Sequence, residues 1–148
     1  MILEAHAARA GVKASLMPIS VVRSCLGIDE DKVLALIETG ALRWAWDIAA
    51  RSTGRKIREI RVWSPCVAVR QAGGTEQPGK SSGEVIAAVV GCEGRKNLSA
   101  SEVRDLLLCS QQTVSRLMDG GELRGETTRR ARWVDRQGLV EFLNRRLL

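Results

Sequence analysis

Shifted by 81 positions, the chain lies on itself. Between Ser20 and Arg43, compared with Ser101 to Arg124, nine of 24 positions are identical: Ser20/Ser101, Val22/Val103, Arg23/Arg104, Leu26/Leu107, Val33/Val114, Leu36/Leu117, Gly40/Gly121, Leu42/Leu123 and Arg43/Arg124. A repeat of this length means one supersecondary unit used twice, so the fold must be buildable in about half the chain. After Arg43 and Arg124 the match needs a ten-residue gap before Arg61-Val62-Trp63-Ser64 lines up with Arg132-Trp133-Val134-Asp135. The first copy therefore carries a longer excursion there. Between the copies, Gln71 to Gly83 is small, polar and helix-breaking, with nothing to bury, and reads as a linker. Its thirteen residues would span about 20 Å r.m.s. and roughly 45 Å fully extended, which lets both units sit on one partner a turn of DNA apart. The predicted organisation is 1–70 as a first domain, 71–83 as linker and 84–148 as a second domain.

Composition excludes several classes. With 148 residues, 45% hydrophobic and 27% charged, the chain suits one ordinary domain or two small ones. It has no run near the roughly 20 apolar residues of a membrane helix, and Met1 to Lys13 lacks the apolar core of a secretory signal. A cytoplasmic location without membrane partners is expected. Lys and Arg total 23 against 17 acidic residues, a net +6 that biases partners toward polyanions. Cys25, Cys66, Cys92 and Cys109 are 41, 26 and 17 positions apart, so none forms a chelating pair, and His6 alone supplies imidazole. The expectation is no metal, no cofactor, no evident small-molecule ligand and no catalysis, with the cysteines as small buried hydrophobes.

Local signals place the elements. In the second copy Ser99 with Glu102 forms a capping box opening a helix through about Leu107. Ser110 can cap a second helix, with Val114, Leu117 and Met118 as its buried stripe, Gln111, Gln112, Ser115 and Arg116 outward, and Gly120-Gly121 as its end. The first copy repeats the plan: Pro18 starts one helix, Asp29 caps the next, and Val33, Leu36 and Ile37 form the stripe, closed by Gly40. Two short helices joined by a tight turn make a helix-turn-helix. Hairpins follow. In the first copy Leu42, Trp44, Trp46 and Ile48 alternate with Arg43, Ala45, Asp47 and Ala49, Ser52-Thr53-Gly54 supplies the turn, and a strand returns around Lys56 to Trp63. In the second copy Leu123 to Val134 compresses the same wing, and Asp135 caps a closing helix burying Leu139, Val140, Phe142 and Leu143. Ser64-Pro65 opens a shorter closing helix. Leu3 to Ala10 and Glu84 to Val90 suggest an extra helix ahead of each copy, although Val85 to Val90 reads equally as a strand.

The run Leu98-Ser99-Ala100-Ser101-Glu102-Val103, then Val114-Ser115-Arg116-Leu117-Met118, Gly121-Glu122-Leu123, Arg132-Trp133-Val134 and the closing Leu139 to Leu143 resembles the excisionase-type winged helix-turn-helix domain related to the MerR regulators. The resemblance spans about 50 residues, Leu98 to Leu148; the first copy shares it only through the internal match, and its longer hairpin with two tryptophans departs from the pattern. It implies a fold mainly α with small β-hairpins (α+β), as two tandem winged helix-turn-helix domains, and double-stranded DNA as partner. Excisionases, repressors, terminase small subunits and plasmid proteins all use such domains, so the biological role stays open between transcription regulation and recombination, with a mobile element as the fitting source.

Such domains place the second helix in the major groove and the wing on flanking phosphates or in the minor groove. The expected contacts in the second copy are Ser110, Gln111, Gln112, Thr113, Ser115 and Arg116 on the helix, with Arg124, Arg129, Arg130 and Arg132 along the wing. In the first copy Asp29, Glu30, Asp31 and Glu38 face outward with Lys32 the one positive group, which repels a phosphate-rich groove while leaving cytosine contacts open. Its long wing offers Arg51, Arg55, Lys56, Arg58 and Arg61 against Glu59. The second copy is therefore the expected main base reader. Trp44 and Trp46 either cover the first domain's core or, with Leu34, offer an interface to the second unit, a second chain or another protein. Trp63 and Trp133 are expected in the core. The alternative function is a protein-interaction adaptor, for example of the terminase small-subunit kind.

Overall fold

Each half opens on three extended residues too short for any periodicity to announce. The computed structural model describes residues 16–50, 58–74, 81–91 and 95–148. Within them the first half runs β1 (Leu16–Pro18), α1 (Ile19–Leu26), α2 (Glu30–Glu38), β2 (Ala45–Asp47), β3 (Ile60–Trp63) and α3 (Ser64–Gln71). An additional helix α4 (Ser82–Val90) precedes the second half, which runs β4 (Asn97–Ser99), α5 (Ala100–Leu107), α6 (Gln111–Asp119), β5 (Gly125–Thr127), β6 (Arg132–Asp135) and α7 (Arg136–Arg146). The described chain is thus mixed α and β, with seven helices and two small antiparallel three-stranded sheets, ordered β1-β3-β2 and β4-β6-β5. The sequence marks the two hairpins but not β1 and β4, which complete each sheet and lead directly into a helix. The expected turn at Ser52-Thr53-Gly54 and the expected helix over Leu3 to Ala10 lie outside the described residues, as do His6 and Cys92.

Helix starts follow the capping chemistry. Asp29 accepts from Lys32 N, Ser99 and Glu102 close a reciprocal capping box, Ser110 accepts from Thr113 N, and Asp135 accepts from Gly138 N. Pro18 occupies the N-cap of α1 without a side-chain bond. Val85 to Val90 is helical, and α4 packs against α7 with Val85, Ile86, Val89 and Val90 buried. Gly27, at φ +66, ends α1 in the left-handed region; at the same place in the repeat α5 ends on Leu108 at φ 51. A branched side chain there costs of order 1 kcal/mol unless its surroundings hold it.

The ladder corrects the alignment of the hairpins. Trp63 N donates to Trp44 O and Asp135 N to Arg124 O, both at 2.8 Å, and Trp63 and Asp135 are the N-caps of the two closing helices. Ile48 N donates to Glu59 O at 2.9 Å where Thr128 N donates to Ala131 O at 2.8 Å. Arg61 therefore stands in the place of Trp133, not of Arg132, and Arg43 is an extra residue ahead of the first hairpin. In a strand, a shift of one residue exchanges the two faces. Arg61 and Trp46 are directly opposed on one face of the first sheet, as Trp133 and Glu126 are on the second.

The halves share one apolar core. Trp46 and Val62 from the first and Leu98, Leu117 and Phe142 from the second are all fully buried members of the same cluster. After α7 the chain reaches back: Leu147 bridges Trp46 in antiparallel fashion, and Leu148 N donates to Ala45 O at 2.9 Å, so the C-terminus extends the β2 edge of the first sheet.

Candidate nucleic-acid interface

Nothing inside the chain uses the amides of Gln111 and Gln112 or the guanidinium of Arg116, among the described residues. All three are exposed on α6, whose Val114 and Leu117 are buried. Ser110 and Thr113 are committed otherwise: their hydroxyls lie 2.9 Å apart while Ser110 Oγ accepts from Thr113 N at 3.1 Å, which fixes where the helix begins. Ser115 is half-buried, and its carbonyl accepts from Arg132 Nη1 at 3.3 Å.

The arginines of the second hairpin divide into fasteners and open groups. Arg132 also pairs with Asp119 at 3.1 Å, so it ties β6 to α6. Arg124 pairs with Glu141 at 3.1 Å and Asp135 at 3.4 Å, tying the hairpin to α7. Arg129 and Arg130 occupy the tip, exposed and without an ion pair among the described residues. Thr128 braces that tip, since its Oγ1 donates to Ala131 O at 3.0 Å and accepts from Ala131 N at 3.1 Å. The result is two guanidiniums on a short rigid turn beside a helix face of amides and one arginine.

The first half presents different chemistry. Glu30, Asp31 and Glu38 are exposed on α2, as its sequence predicts, and Lys32 is exposed with them. Lys32 and Arg70 also line a pocket of about 430 Å³ with Leu26, Ile28, Ala35 and Leu36. Leu34 is half-buried against the core and Arg58 is exposed, whereas Arg51, Arg55 and Lys56 lie outside the described residues.

Arg61 is a correction to the reading of the first wing as a row of available charges. It is 8% exposed. Its Nε donates to Leu107 O at 2.9 Å, its Nη2 to Leu108 O at 2.6 Å and to Glu59 Oε1 at 3.1 Å, and its Nη1 to Ile60 O at 3.0 Å. The guanidinium thus caps the C-terminus of α5 in the other half and holds the left-handed Leu108 carbonyl. Arg146 does the converse from α7: it is buried, its Nη1 donates to Asp47 O at 3.0 Å, it pairs with Glu122, and its guanidinium lies 5.1 Å from the Phe142 ring. Beside Arg61, burial, reinforced by Glu59, pushes the Cys109 thiol up to about 11. Cys25 and Cys66 are buried and also raised by burial.

The tryptophans separate. Trp44 and Trp46 are buried within the chain, Trp46 completely, and Trp63 is core as expected. Trp133 is not: it is 37% exposed, because its register places it on the outer face of the second sheet, where no neighbouring half covers it. Sequence reasoning missed Arg61, Arg146 and this difference. The available signal was that Trp44, Trp46 and Ile48 put more aromatic area on one face of the strand than a small domain covers by itself, which asks for a neighbour over that face. No helix among the described residues is long and apolar enough to cross a membrane. No family model, curated protein or solved structure matches the chain.

Proposed function

We infer that the chain is a sequence-specific double-stranded DNA-binding protein built as two winged helix-turn-helix units, with α6 as its base-reading helix. What carries this reading is the sorting of polar groups in the second half. Arg124 and Arg132 are spent on internal carboxylates, while Gln111, Gln112, Arg116, Arg129 and Arg130 stay exposed on one helix and one adjacent hairpin tip. Amides suit adenine edges, a guanidinium suits guanine, and paired arginines on a rigid turn suit phosphates or a narrow minor groove. Regulation of transcription or assistance to a recombinase fits such a module, and the docked halves favour one fixed spacing on an asymmetric or direct-repeat site.

In vitro selection of duplexes by the full chain tests it: one enriched core sequence is expected. Retention of random duplex should fall about a hundredfold between 50 and 200 mM salt, as about four phosphate contacts require. No enrichment together with a salt-insensitive complex would sink the reading and leave the adaptor role, for which the acidic α2 and its pocket speak.

A further inference from the structure

The repeat makes the contact between the halves informative about a surface that has no such contact. Within the chain, the outer face of the first sheet docks on the turn between α5 and α6: Arg61 binds the carbonyls of Leu107 and Leu108, beside Cys109. The repeat maps Leu107, Leu108 and Cys109 onto Leu26, Gly27 and Ile28. In the first half no guanidinium among the described residues binds that turn: Leu26 and Ile28 are half-buried and, with Leu36, floor the pocket of about 430 Å³. The other side of the contact is open. Trp133 holds the place of Arg61 on the second sheet, and among the described residues it and Leu148 are the exposed large apolar side chains.

We propose that these two surfaces belong together in different molecules: the β5–β6 hairpin of one chain docks through Trp133 onto the α1–α2 turn of a second copy, repeating between chains the contact that joins the halves within one. The occupant matches the pocket. An indole brings a large apolar face to Leu26, Ile28 and Leu36, and its N–H is a donor of the kind that Arg61 supplies to the carbonyls ending a helix. Glu126, exposed and directly opposite Trp133, complements Lys32 and Arg70 at the pocket. Because the two patches differ, a single such contact is head-to-tail and leaves one hairpin and one pocket free for a further contact.

The test uses the full chain in solution without nucleic acid, so it stands or falls independently of DNA binding. Sedimentation at rising protein concentration should show reversible growth in mass. Trp133→Ala and Ala35→Arg, both at exposed positions and so tolerated by the fold, should each weaken association by about tenfold or more. An equimolar mixture of the two variants should stop at a dimer, since one keeps its pocket and the other its hairpin. A monomer at every concentration, variants that associate like the parent, or a mixture no better than either variant alone would each overturn the proposal; a pocket filled by another protein or by the N-terminal segment would appear as the first of these.

Discussion

The outer faces of the two sheets carry the same positions and opposite chemistry. On the first stand Trp44, Trp46, Ile48 and Arg61, all buried; at the matching places on the second stand Arg124, Glu126, Thr128 and Trp133, all exposed. The unit is the same in strand order and register, so the backbone does not decide what the face meets. Side chains do. A face with three apolar groups and one buried guanidinium is committed to protein, and a charged face with one indole is left open.

The largest expected effect therefore sits at Trp46. Trp46→Ala should lower the free energy of unfolding by roughly 3–5 kcal/mol in urea titrations, because it empties the shared core. Glu126→Ala at the matching place should stay within about 0.5 kcal/mol. The Trp46 indole N–H finds no acceptor among the described residues, so Trp46→Phe should recover most of the loss. Equal costs at Trp46 and Glu126 would erase the distinction between the faces.

Next comes the guanidinium. Arg61→Ala leaves the Leu107 and Leu108 carbonyls without their donor and should cost about 2–3 kcal/mol, with Arg61→Lys a poor rescue because an ammonium cannot span both. Cys109 reports the same event: half-buried and with its thiol pushed up to about 11, it should alkylate slowly in the parent and faster in Arg61→Ala as the halves part. Unchanged alkylation would mean that the halves stay docked without Arg61.

What the sequence made legible follows from locality. Asp29, Ser99 with Glu102, Ser110 and Asp135 each act on an amide three residues away, so their helices could be placed from composition and spacing alone. β1 and β4 could not, since three residues carry no period and their partners lie far along the chain. The alignment of the two hairpins by identity is off by one, because Arg43 matches Arg124 in identity but not in the ladder. Docking onto the second unit is one of the two readings that Trp44 and Trp46 allow, but its anchor is not legible: Arg61 looks like any other hairpin arginine until α5 ends against it. Of the candidate interface, the exposed face of α6 was legible from its stripe, whereas the capture of Arg124 and Arg132 by Glu141 and Asp119 depends on how the hairpin folds back.

The two second helices offer a gentler contrast. Gln112→Ala and Arg116→Ala should each lower preference for the selected site by roughly 1–3 kcal/mol in competition gel shifts, while random duplex is held almost as before. Glu30→Gln with Asp31→Gln should leave that preference intact and raise general affinity slightly by removing repulsion from phosphate. Loss of the site in the double variant would make α2 a base reader and reverse the roles of the halves.

The smallest difference lies in how the halves begin. The Glu102 carboxyl is held below its ordinary value chiefly by the Arg95 guanidinium, whose nitrogens lie 2.7 and 2.8 Å from it, against an opposing push from burial and with a further contribution from Ser99 N. A depressed acid contributes stability above its unfolded value and loses it as pH falls through the folded one, so this contribution should fade below the ordinary carboxylate range. The pair is about a third to a half exposed, and solvent screening limits it to a few tenths of a kcal/mol. The first half has no counterpart, since Val21 holds the matching position and Pro18 caps α1 without a side-chain bond. Glu102→Gln should therefore flatten the acid limb of stability measured by urea midpoint against pH, and Arg95→Ala should flatten it only partly, because the Ser99 amide remains. An acid limb equally steep in both variants would place the titrating group elsewhere in the chain.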